Sequence, residues 1–370
     1  MNTCAEPGGR HRWRLAVAGC GGAAFGLHLP LLTAHPAFEV VAVTDREPAR
    51  AQEAARRFAA PRVASDVAEM LAGADMLLVL TGVHEPLIEL ALDAGVHVFT
   101  EKPLSLDAGR TSALRRRALL AGLLLEVGAM RAYDPALHIL LETIPAREIR
   151  TGVLIKADGA DQAARAAFLP AGFAPYTFGD DPPSSPPVGL DAYQLRVLQL
   201  LLWQGYHQLT VLAVICPELT ALACVTTHEA TTVHALVRGG DAVFTVIITG
   251  APAGVYRDET HLDSGSRSAT ITFASPYLAS GATRLSYRPA GNEKSRTAES
   301  LNGPFTCMWD SIDARLRRAA GLPDFGLRPA QEHPDSVELA ERVERLATEL
   351  AALASVPNET THSLERRLLA

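Results

Sequence analysis

The sequence predicts an α/β protein with two domains. An N-terminal Rossmann domain would hold a doubly wound parallel sheet, and a C-terminal α/β domain would hold a large, mainly antiparallel open sheet. From Trp13 to about Gly128, short apolar runs alternate with helical stretches, which is the pattern of βαβ units. After Arg131 the strand-like runs follow one another closely, as they do in antiparallel sheets.

Length and charge favour small-molecule chemistry. The chain has 370 residues, 48% of them hydrophobic and 20% charged, which is enough to bury two cores. A net charge of -7 gives no electrostatic attraction to nucleic acid or to an anionic membrane. We therefore expect a small-molecule substrate, with no nucleic-acid or membrane partner.

The cysteine pattern and the apolar segments favour a cytoplasmic protein. The five cysteines are scattered, odd in number and without C-x-x-C spacing, so neither a disulfide framework nor a metal site is expected. The first residues, "MNTCAEPGGRHRWR", contain no continuous apolar run of the kind found in signal peptides. The apolar region from Leu190 to Cys216 is interrupted by polar residues, which indicates a buried helix and not a membrane span.

Changes in composition and in hydrophobic periodicity along the chain suggest the domain boundaries. A Gly-, Pro- and Ser-rich stretch at 157–190 has no periodic pattern and predicts a long loop that covers a site. Amphipathic helices return near the C-terminus. The predicted organisation is a tail at 1–12, a Rossmann domain at 13–130, a sheet domain at 131–325 for substrate and oligomer contacts, and a C-terminal helix and tail at 326–370.

Five strands are predicted in the first domain and six in the second. Those of the first are "RLAVA", "FEVVAVTD", "DMLLVLT", "VHVFTE" and "LLLEVGA". Those of the second are "IRTGVLIKA", "TALACVTTH", "TTVHALVRG", "AVFTVIITG", "SATITFA" and "TRLSYR".

A glycine-rich loop after the first strand predicts a dinucleotide site. Gly19 to Ala24 read G-x-G-x-x-A and open a helix, so that backbone N–H groups can approach a pyrophosphate at the helix N-terminus. Asp45 ends the next strand, where a carboxylate would accept the ribose hydroxyls and repel an added phosphate, which slightly favours NAD. Arg46 could instead pair with that phosphate, so NADP stays open. The alternative is a plain strand-to-helix turn.

The predicted cofactor contacts extend beyond this loop to the ends of later strands. Together they are Gly19, Gly21, Gly22, Ala23, Ala24, Asp45, Arg46, Thr81, His84, Glu101 and Lys102.

The turn Glu101-Lys102-Pro103 directly follows the fourth strand of the chain and predicts a catalytic amine. Ligands of open parallel sheets collect beyond the carboxyl ends of the strands. Pro103 restricts the backbone and can hold Lys102 in a fixed pose. The ammonium could then stabilise oxyanion character on a substrate carbinol or ketone. The alternative is a solvated charged pair at a strand end.

The first 130 residues resemble the glucose-fructose oxidoreductase / inositol dehydrogenase / rhizopine catabolism (Gfo/Idh/MocA) family. The resemblance lies in "AVAGCGGAAFGLHLPLL", "FEVVAVTDREPARA" and "LTGVHEPLIELALDAGVHVFTEKPLSLD". It implies a Rossmann domain followed by an open-sheet α/β domain, a nicotinamide cofactor, oxidation or reduction of sugars and polyols, and a catalytic role for Lys102.

The resemblance also implies a catalytic histidine in a long helix of the second domain. In "LLWQGYHQLTVLAVICPEL", His207 occupies that place, as general acid or base. The family's aspartate four residues earlier is replaced by Trp203, which would share a helix face with His207 and could stack on a substrate. A lone histidine in an apolar helix can also be a core residue. Substrate-lining candidates are Arg131, Tyr133, Trp203 and Tyr206.

We therefore expect an NAD(P)-dependent oxidoreductase that transfers hydride between nicotinamide and a carbinol or ketone carbon of a sugar, cyclitol or related small molecule. Alternatives are imine reduction, a non-redox lyase or glycosidase with transient oxidation by bound NAD, and a catalytically silent cofactor-binding protein. An open apolar sheet face also predicts a homo-oligomer, dimer or tetramer, formed through the second domain.

Overall fold

The computed structural model contains two β-sheets with helices packed on them. It describes residues 11–158, 165–174, 187–227, 230–250, 256–277, 282–291, 294–300, 303–323 and 334–354. Most of the predicted tail at 1–12, of the loop at 157–190 and of the chain end lies outside these residues.

Five parallel strands form the first sheet, in the order β2-β1-β3-β4-β5. Its interior is continuously apolar, as expected for parallel strands covered on both faces. The strands are β1 (Trp13–Ala18), β2 (Phe38–Thr44), β3 (Met76–Val79), β4 (His97–Thr100) and β5 (Leu125–Val127).

All five strands of this sheet were predicted. Helices connect them, namely a π-helical turn (Ala24–His28) that continues into α1 (Leu29–Ala34), then α2 (Pro48–Phe58), α3 (Val67–Leu71), α4 (Glu85–Asp93) and α5 (Ala108–Leu120). A 3-10 turn (Met130–Tyr133), α6 (Pro135–Thr143) and a second 3-10 turn (Ala146–Glu148) lead to the next sheet.

Eight strands form the second sheet, in the order β13-β12-β11-β10-β6-β9-β8-β7. Only β6 and β9 pair in parallel among these neighbours. The strands are β6 (Thr151–Asp158), β7 (Leu219–Thr227), β8 (Thr232–Gly239), β9 (Ala242–Thr249), β10 (Tyr256–Asp263), β11 (Ser268–Thr272), β12 (Arg284–Arg288) and β13 (Arg296–Glu299). The two sheets confirm the predicted fold class.

Sequence patterning missed β10 and β13. The sequence of β10, "YRDETHLD", is largely charged and polar, yet Asp258 and Thr260 point inward and are buried. Such a strand is stable only because distant residues pair with its carboxylate.

The predicted long helix of the second domain is two helices, so that prediction was wrong. α7 (Ala192–Trp203) ends before Gln204-Gly205, and α8 (Tyr206–Ile215) begins after them. At Gly205 a Cβ would lie 2.9 Å from the Leu201 carbonyl oxygen and 3.0 Å from Ile248 on β9. This close packing of the turn against the sheet leaves room only for glycine at this position, and Trp203 and His207 do not lie on one continuous helix.

Two C-terminal helices join the domains. They are α9 (Pro304–Ala319) and α10 (Ser336–Leu353). α10 packs on α5 of the first domain and on α7, α8 and β7 of the second. Its Glu344 is buried and accepts hydrogen bonds from the Ser105 N–H and the Thr111 hydroxyl. Asp107, and not Ser105, caps α5.

In the described part of the chain, none of the helices combines the length and apolar character that crossing a bilayer requires.

Candidate active site

The glycine-rich loop has the geometry that a dinucleotide requires. Gly19 has φ +97°, and a Cβ there would lie 2.7 Å from the Leu80 carbonyl group at the end of β3. At Gly21 a Cβ would meet no described atom within 4 Å, so the loop backbone is open on that side. The glycines thus allow both the turn and a close approach, and the residues present fit a pyrophosphate at this helix N-terminus.

Asp45 lies at the carboxyl end of β2 beside this loop. One carboxylate oxygen accepts the Cys20 N–H at 2.6 Å and the other accepts the Glu47 N–H at 2.9 Å. Each oxygen keeps lone pairs for further donors, such as ribose hydroxyls. Arg46 is exposed. Burial, together with the Asp45 charge, raises the pKa of the Cys20 thiol to about 12, so Cys20 is a packed, unreactive part of the loop.

A short segment of the second domain covers one side of this loop. We call residues 165–174 the cover segment. The Phe168 ring packs on Gly26, where a Cβ would lie 3.0 Å from it, and the Arg50 guanidinium donates to the Ala174 carbonyl at 2.7 Å. The part of the predicted loop that the structure describes therefore lies beside the candidate cofactor site.

Lys102 follows β4 at the same edge of the sheet, and its peptide bond to Pro103 is cis. The Lys102 Nζ donates to the carbonyl oxygen of Trp203, the last residue of α7, at 2.9 Å. It also lies 5.9 Å from the centre of the Tyr206 ring. The turn thus directs the amine across the crevice between the domains, where Lys102, Trp203 and His207 are all partly exposed.

Two residues predicted to contact the cofactor make hydrogen bonds around the Lys102 turn. The His84 ring is buried, with Nδ1 2.7 Å from the Pro103 carbonyl and Nε2 2.7 Å from the Thr81 carbonyl. Both ring nitrogens are therefore occupied. Glu101 lies with Oε1 2.9 Å from His28 Nε2, and its Oε2 accepts the Lys102 N–H. In this structure the polar atoms of both side chains therefore contact protein groups, and Glu101 is partly exposed.

His207 lies in the crevice near Lys102. Its Nδ1 has no hydrogen-bond partner among the described residues. Burial and the positive charges of Lys102, Lys156, Arg131 and Arg165 lower the pKa of His207 well below its ordinary value. The imidazole is therefore neutral near pH 7 and can accept or donate a proton.

A buried ionic cluster lies behind His207. We call it the Asp258 cluster, and it consists of Arg131, Lys156, Gln208, Tyr256 and Asp258. The Asp258 carboxylate accepts from Gln208 at 2.6 Å, Arg131 at 2.7 Å, Tyr256 at 3.0 Å and Lys156 at 3.3 Å. Although burial alone would raise it, the charges of Lys156 and Arg131 lower the pKa of Asp258.

Three residues predicted to line the substrate pocket are buried in the protein. Arg131 is 1% exposed and belongs to the Asp258 cluster, and Tyr133 is 1% exposed in the core between the domains. Tyr206 is completely buried, and burial raises its pKa well above the ordinary value. In this structure these three side chains are therefore packed inside the protein, which their position in the chain could not show. Trp203 remains beside Lys102.

Four residues at this site were not predicted from the sequence, namely His28, Lys156, Gln208 and Asp258. Only Lys156 carried a signal, because the chain has three lysines in all and two of them, Lys102 and Lys156, lie at this site. The other residues gain their positions through contacts between distant segments.

The Rossmann sheet and its glycine-rich loop define a dinucleotide-binding protein of the oxidoreductase type. Its Lys102 amine and His207 imidazole lie near the carboxyl edge of that sheet. Residues 13–129 match the family described as "Oxidoreductase family, NAD-binding Rossmann fold" (GFO_IDH_MocA). This match covers the Rossmann domain and confirms the Gfo/Idh/MocA resemblance of that part of the chain.

Curated relatives match the same part of the chain. The myo-inositol dehydrogenase Hyg17 of Streptomyces leeuwenhoekii is 43% identical over 126 residues, which are 33% of this chain and 38% of the relative. The scyllo-inositol 2-dehydrogenase (NAD(+)) of Bacillus subtilis is 31% identical over 158 residues, which are 42% of this chain and 46% of the relative. The chain thus spans less than half the length of these relatives.

Solved structures share the whole fold. KijD10, a 3-ketoreductase from Actinomadura kijaniata in complex with NADP and TDP-benzene, has a TM-score of 0.71 at 19% identity over 93% of this chain and 98% of its own. The UDP-N-acetylglucosamine 3-dehydrogenase GnnA from Acidithiobacillus ferrooxidans has a TM-score of 0.69 at 18% identity, with the same coverage. At this identity the likeness concerns the fold alone.

Proposed function

We propose that the protein is an NAD(P)-dependent dehydrogenase or reductase that acts on a carbinol or ketone carbon of a sugar, cyclitol or related small molecule. The observation that carries this proposal is the convergence of Lys102 and His207 at the carboxyl edge of the Rossmann sheet. Lys102 is near enough for its charge to lower the pKa of His207. The inositol dehydrogenases among the relatives support the substrate class.

The two side chains would divide the proton chemistry. A bound nicotinamide cofactor supplies or accepts a hydride. The Lys102 ammonium, which now donates to the Trp203 carbonyl, would donate to the substrate oxygen and stabilise its developing negative charge. His207, neutral near pH 7, would take the hydroxyl proton in oxidation and return one in reduction.

NAD is the proposed cofactor, and Asp45 supports this choice. Its carboxylate is fixed by two backbone N–H groups at the end of β2, where it can accept ribose hydroxyls. A fixed negative charge at this point would repel the additional phosphate of NADP. Gly19, Gly21, Gly22, Ala23 and Ala24 would hold the pyrophosphate, with Arg46 and Thr81 beside the adenosine half.

We also propose that the protein forms a homo-oligomer through the outer face of the second sheet. Four apolar side chains on this face are 37% to 62% exposed, namely Leu222, Val225, Leu236 and Val243. An exposed apolar patch on a broad sheet favours a self-complementary contact with a second copy.

The enzymatic proposal is tested by incubating the purified protein with NAD or NADP and panels of inositols, free sugars, nucleotide sugars and keto compounds. Reduction of nicotinamide by a cyclitol or sugar is expected. Lys102→Ala should lower kcat by about 10²- to 10⁴-fold. Lys294→Ala, which removes an exposed lysine, is the matched control and should keep full activity. Turnover without net nicotinamide change would favour a lyase or glycosidase, and unchanged activity in Lys102→Ala would refute the proposed chemistry.

A further inference from the structure

We propose that His28 is a positioning residue for Lys102 and acts through Glu101. This inference rests on the proposed function, since it assumes that Lys102 contacts the substrate. His28 lies at the end of the π-helical turn that follows the glycine-rich loop, whereas Glu101 and Lys102 follow β4, more than seventy residues later. Their contact joins the two halves of the candidate site.

The His28 ring is held in one orientation. It is completely buried, and its centre lies 5.2 Å from that of Phe99, 5.5 Å from that of Phe305 and 5.9 Å from that of Trp309, all in edge-on geometry. Aromatic side chains on three sides leave the ring little freedom to rotate. Its Nε2 therefore points at Glu101 Oε1, 2.9 Å away.

The Glu101 carboxylate contacts His28 through one oxygen and the main chain of Lys102 through the other. Its second oxygen accepts the backbone N–H of Lys102 at 3.1 Å. At Gly128 a Cβ would lie 2.9 Å from Glu101 Oε1, so only glycine allows the carboxylate this position. Because one oxygen binds His28 and the other binds the main chain of Lys102, moving His28 would move the base of the lysine.

The segment from Gly19 to His28 would therefore position both the cofactor and, through Glu101, the amine of Lys102. The proposed pyrophosphate contacts lie between Gly19 and Ala24, and His28 ends the helical turn that begins at Ala24. The link from His28 to Glu101 sets the distance between this segment and the amine. A hydride acceptor and a hydrogen-bond donor must be held in register for efficient transfer.

The charges in this link also act on Lys102. Although burial alone would raise it, the hydrogen bond and charge of His28, and then the charge of Lys102, lower the pKa of Glu101, which is therefore a carboxylate. The described titratable groups that face Glu101 and Lys102 are His28, His84, Tyr206 and His207. Without His28, the buried carboxylate would lose its side-chain hydrogen bond, and its displacement would move a negative charge away from the lysine.

The test measures Lys102 directly and does not depend on turnover. With only three lysines in the chain, competitive acetylation by acetic anhydride followed by mass spectrometry gives the pH midpoint of Lys102, with exposed Lys294 as internal reference. In His28→Leu we expect the Lys102 midpoint to fall by roughly one pH unit while that of Lys294 stays constant. His28→Gln, which keeps a donor, should lie closer to the native protein.

His35 provides the matched control. Its Nε2 lies 3.0 Å from Asp310, so it is also a largely buried histidine paired with a carboxylate, but it has no contact with the Lys102 turn. His35→Leu and His35→Gln should leave the Lys102 midpoint unchanged. In the active enzyme, His28→Leu should lower kcat by about ten- to a hundredfold with a smaller change in KM for the cofactor.

Two results would overturn the inference. One is a native Lys102 midpoint and kcat in His28→Leu, and the other is an equal effect of the His28 and His35 variants, which would indicate a general loss of packing. Should His28→Leu fail to fold, Glu101→Gln replaces it, because this change removes the carboxylate that joins His28 to Lys102, and an unchanged Lys102 midpoint in that variant would overturn the inference. A shifted midpoint in a protein that turns over no substrate would support the link between His28 and Lys102 and refute the proposed function instead.

Discussion

The amine of Lys102 donates a hydrogen bond to the backbone carbonyl of Trp203 across the crevice between the two domains. The family resemblance implies an aspartate where this tryptophan stands, and here a main-chain oxygen at the end of α7 contacts the lysine. A helix C-terminus carries partial negative charge, so the carbonyl stabilises the ammonium without a second ionised side chain. A substrate oxygen can replace this carbonyl as the acceptor.

The first prediction concerns the turn that places this carbonyl. Gly205→Ala adds a Cβ 2.9 Å from the Leu201 oxygen and 3.0 Å from Ile248, so the turn must shift. We expect a loss of about 1–3 kcal/mol in the free energy of unfolding, together with lower kcat, because the Trp203 carbonyl moves with it. Urea unfolding checks this. The control is Gly303→Ala, where a Cβ meets no described atom within 4 Å, and similar losses in both variants would contradict the explanation.

The second prediction concerns the Asp258 cluster. Asp258→Asn removes the carboxylate that pairs with buried Arg131 and Lys156, leaves only Asp134 at 3.8 Å from Arg131, and should cost about 3–5 kcal/mol of stability. The pKa of Asp258 is lower in the folded than in the unfolded protein, so its stabilisation is present above about pH 4 and is lost as the pH falls through the folded pKa. Urea unfolding from neutral to acid pH should show this loss in the native protein and not in the variant. Glu53→Gln, which removes an ion pair on the surface, should change little.

The third prediction concerns the choice of cofactor. Asp45→Ser keeps an acceptor for the Cys20 N–H but removes the charge that would repel an added phosphate. The ratio of kcat/KM for NAD to that for NADP should fall by about tenfold or more. Glu47→Ser, at a neighbouring exposed carboxylate, should leave the ratio near its native value. An unchanged ratio in Asp45→Ser would mean that another group sets the preference.

The fourth prediction concerns the pH dependence of stability at His207. Its pKa is depressed in the folded protein, so below about pH 6.5 the unfolded chain binds a proton that the folded protein does not. This difference should destabilise the native protein by about 1–2 kcal/mol at pH 5 relative to pH 8. His207→Gln should lose this part of the acid sensitivity. Parallel stability curves for the two proteins would show that His207 is not held neutral.

The fifth prediction concerns the outer face of the second sheet. The double substitution Val225→Glu and Leu236→Glu places charge in the proposed contact. It should convert the oligomer to monomers, as measured by light scattering on a sizing column. Leu119→Glu on α5 is a control of similar exposure away from this sheet, and it should keep the native mass. If the native protein is already monomeric, the proposed contact is wrong.

Local patterns in the sequence were sufficient for much of the fold. The five strands of the first sheet were predicted from apolar runs and helical periodicity, because strands buried on both faces need side chains that are apolar throughout. The glycine-rich loop and the place of Lys102 after β4 also follow from neighbouring residues. Each of these features is determined within one or two elements of the chain.

The tertiary structure decided the interior of the candidate site. Nothing local to "YRDETHLD" shows that Asp258 is buried, since burial of that carboxylate depends on Arg131 and Lys156 from other segments. The same holds for His28, which reaches Glu101 only when the first helix packs beside β4, and for Gly205, which packs closely against Ile248. The sequence by itself determined which groups stand at the strand ends, whereas the packing of distant segments determined which of them face the crevice, because a buried charge is stable only where its partners converge.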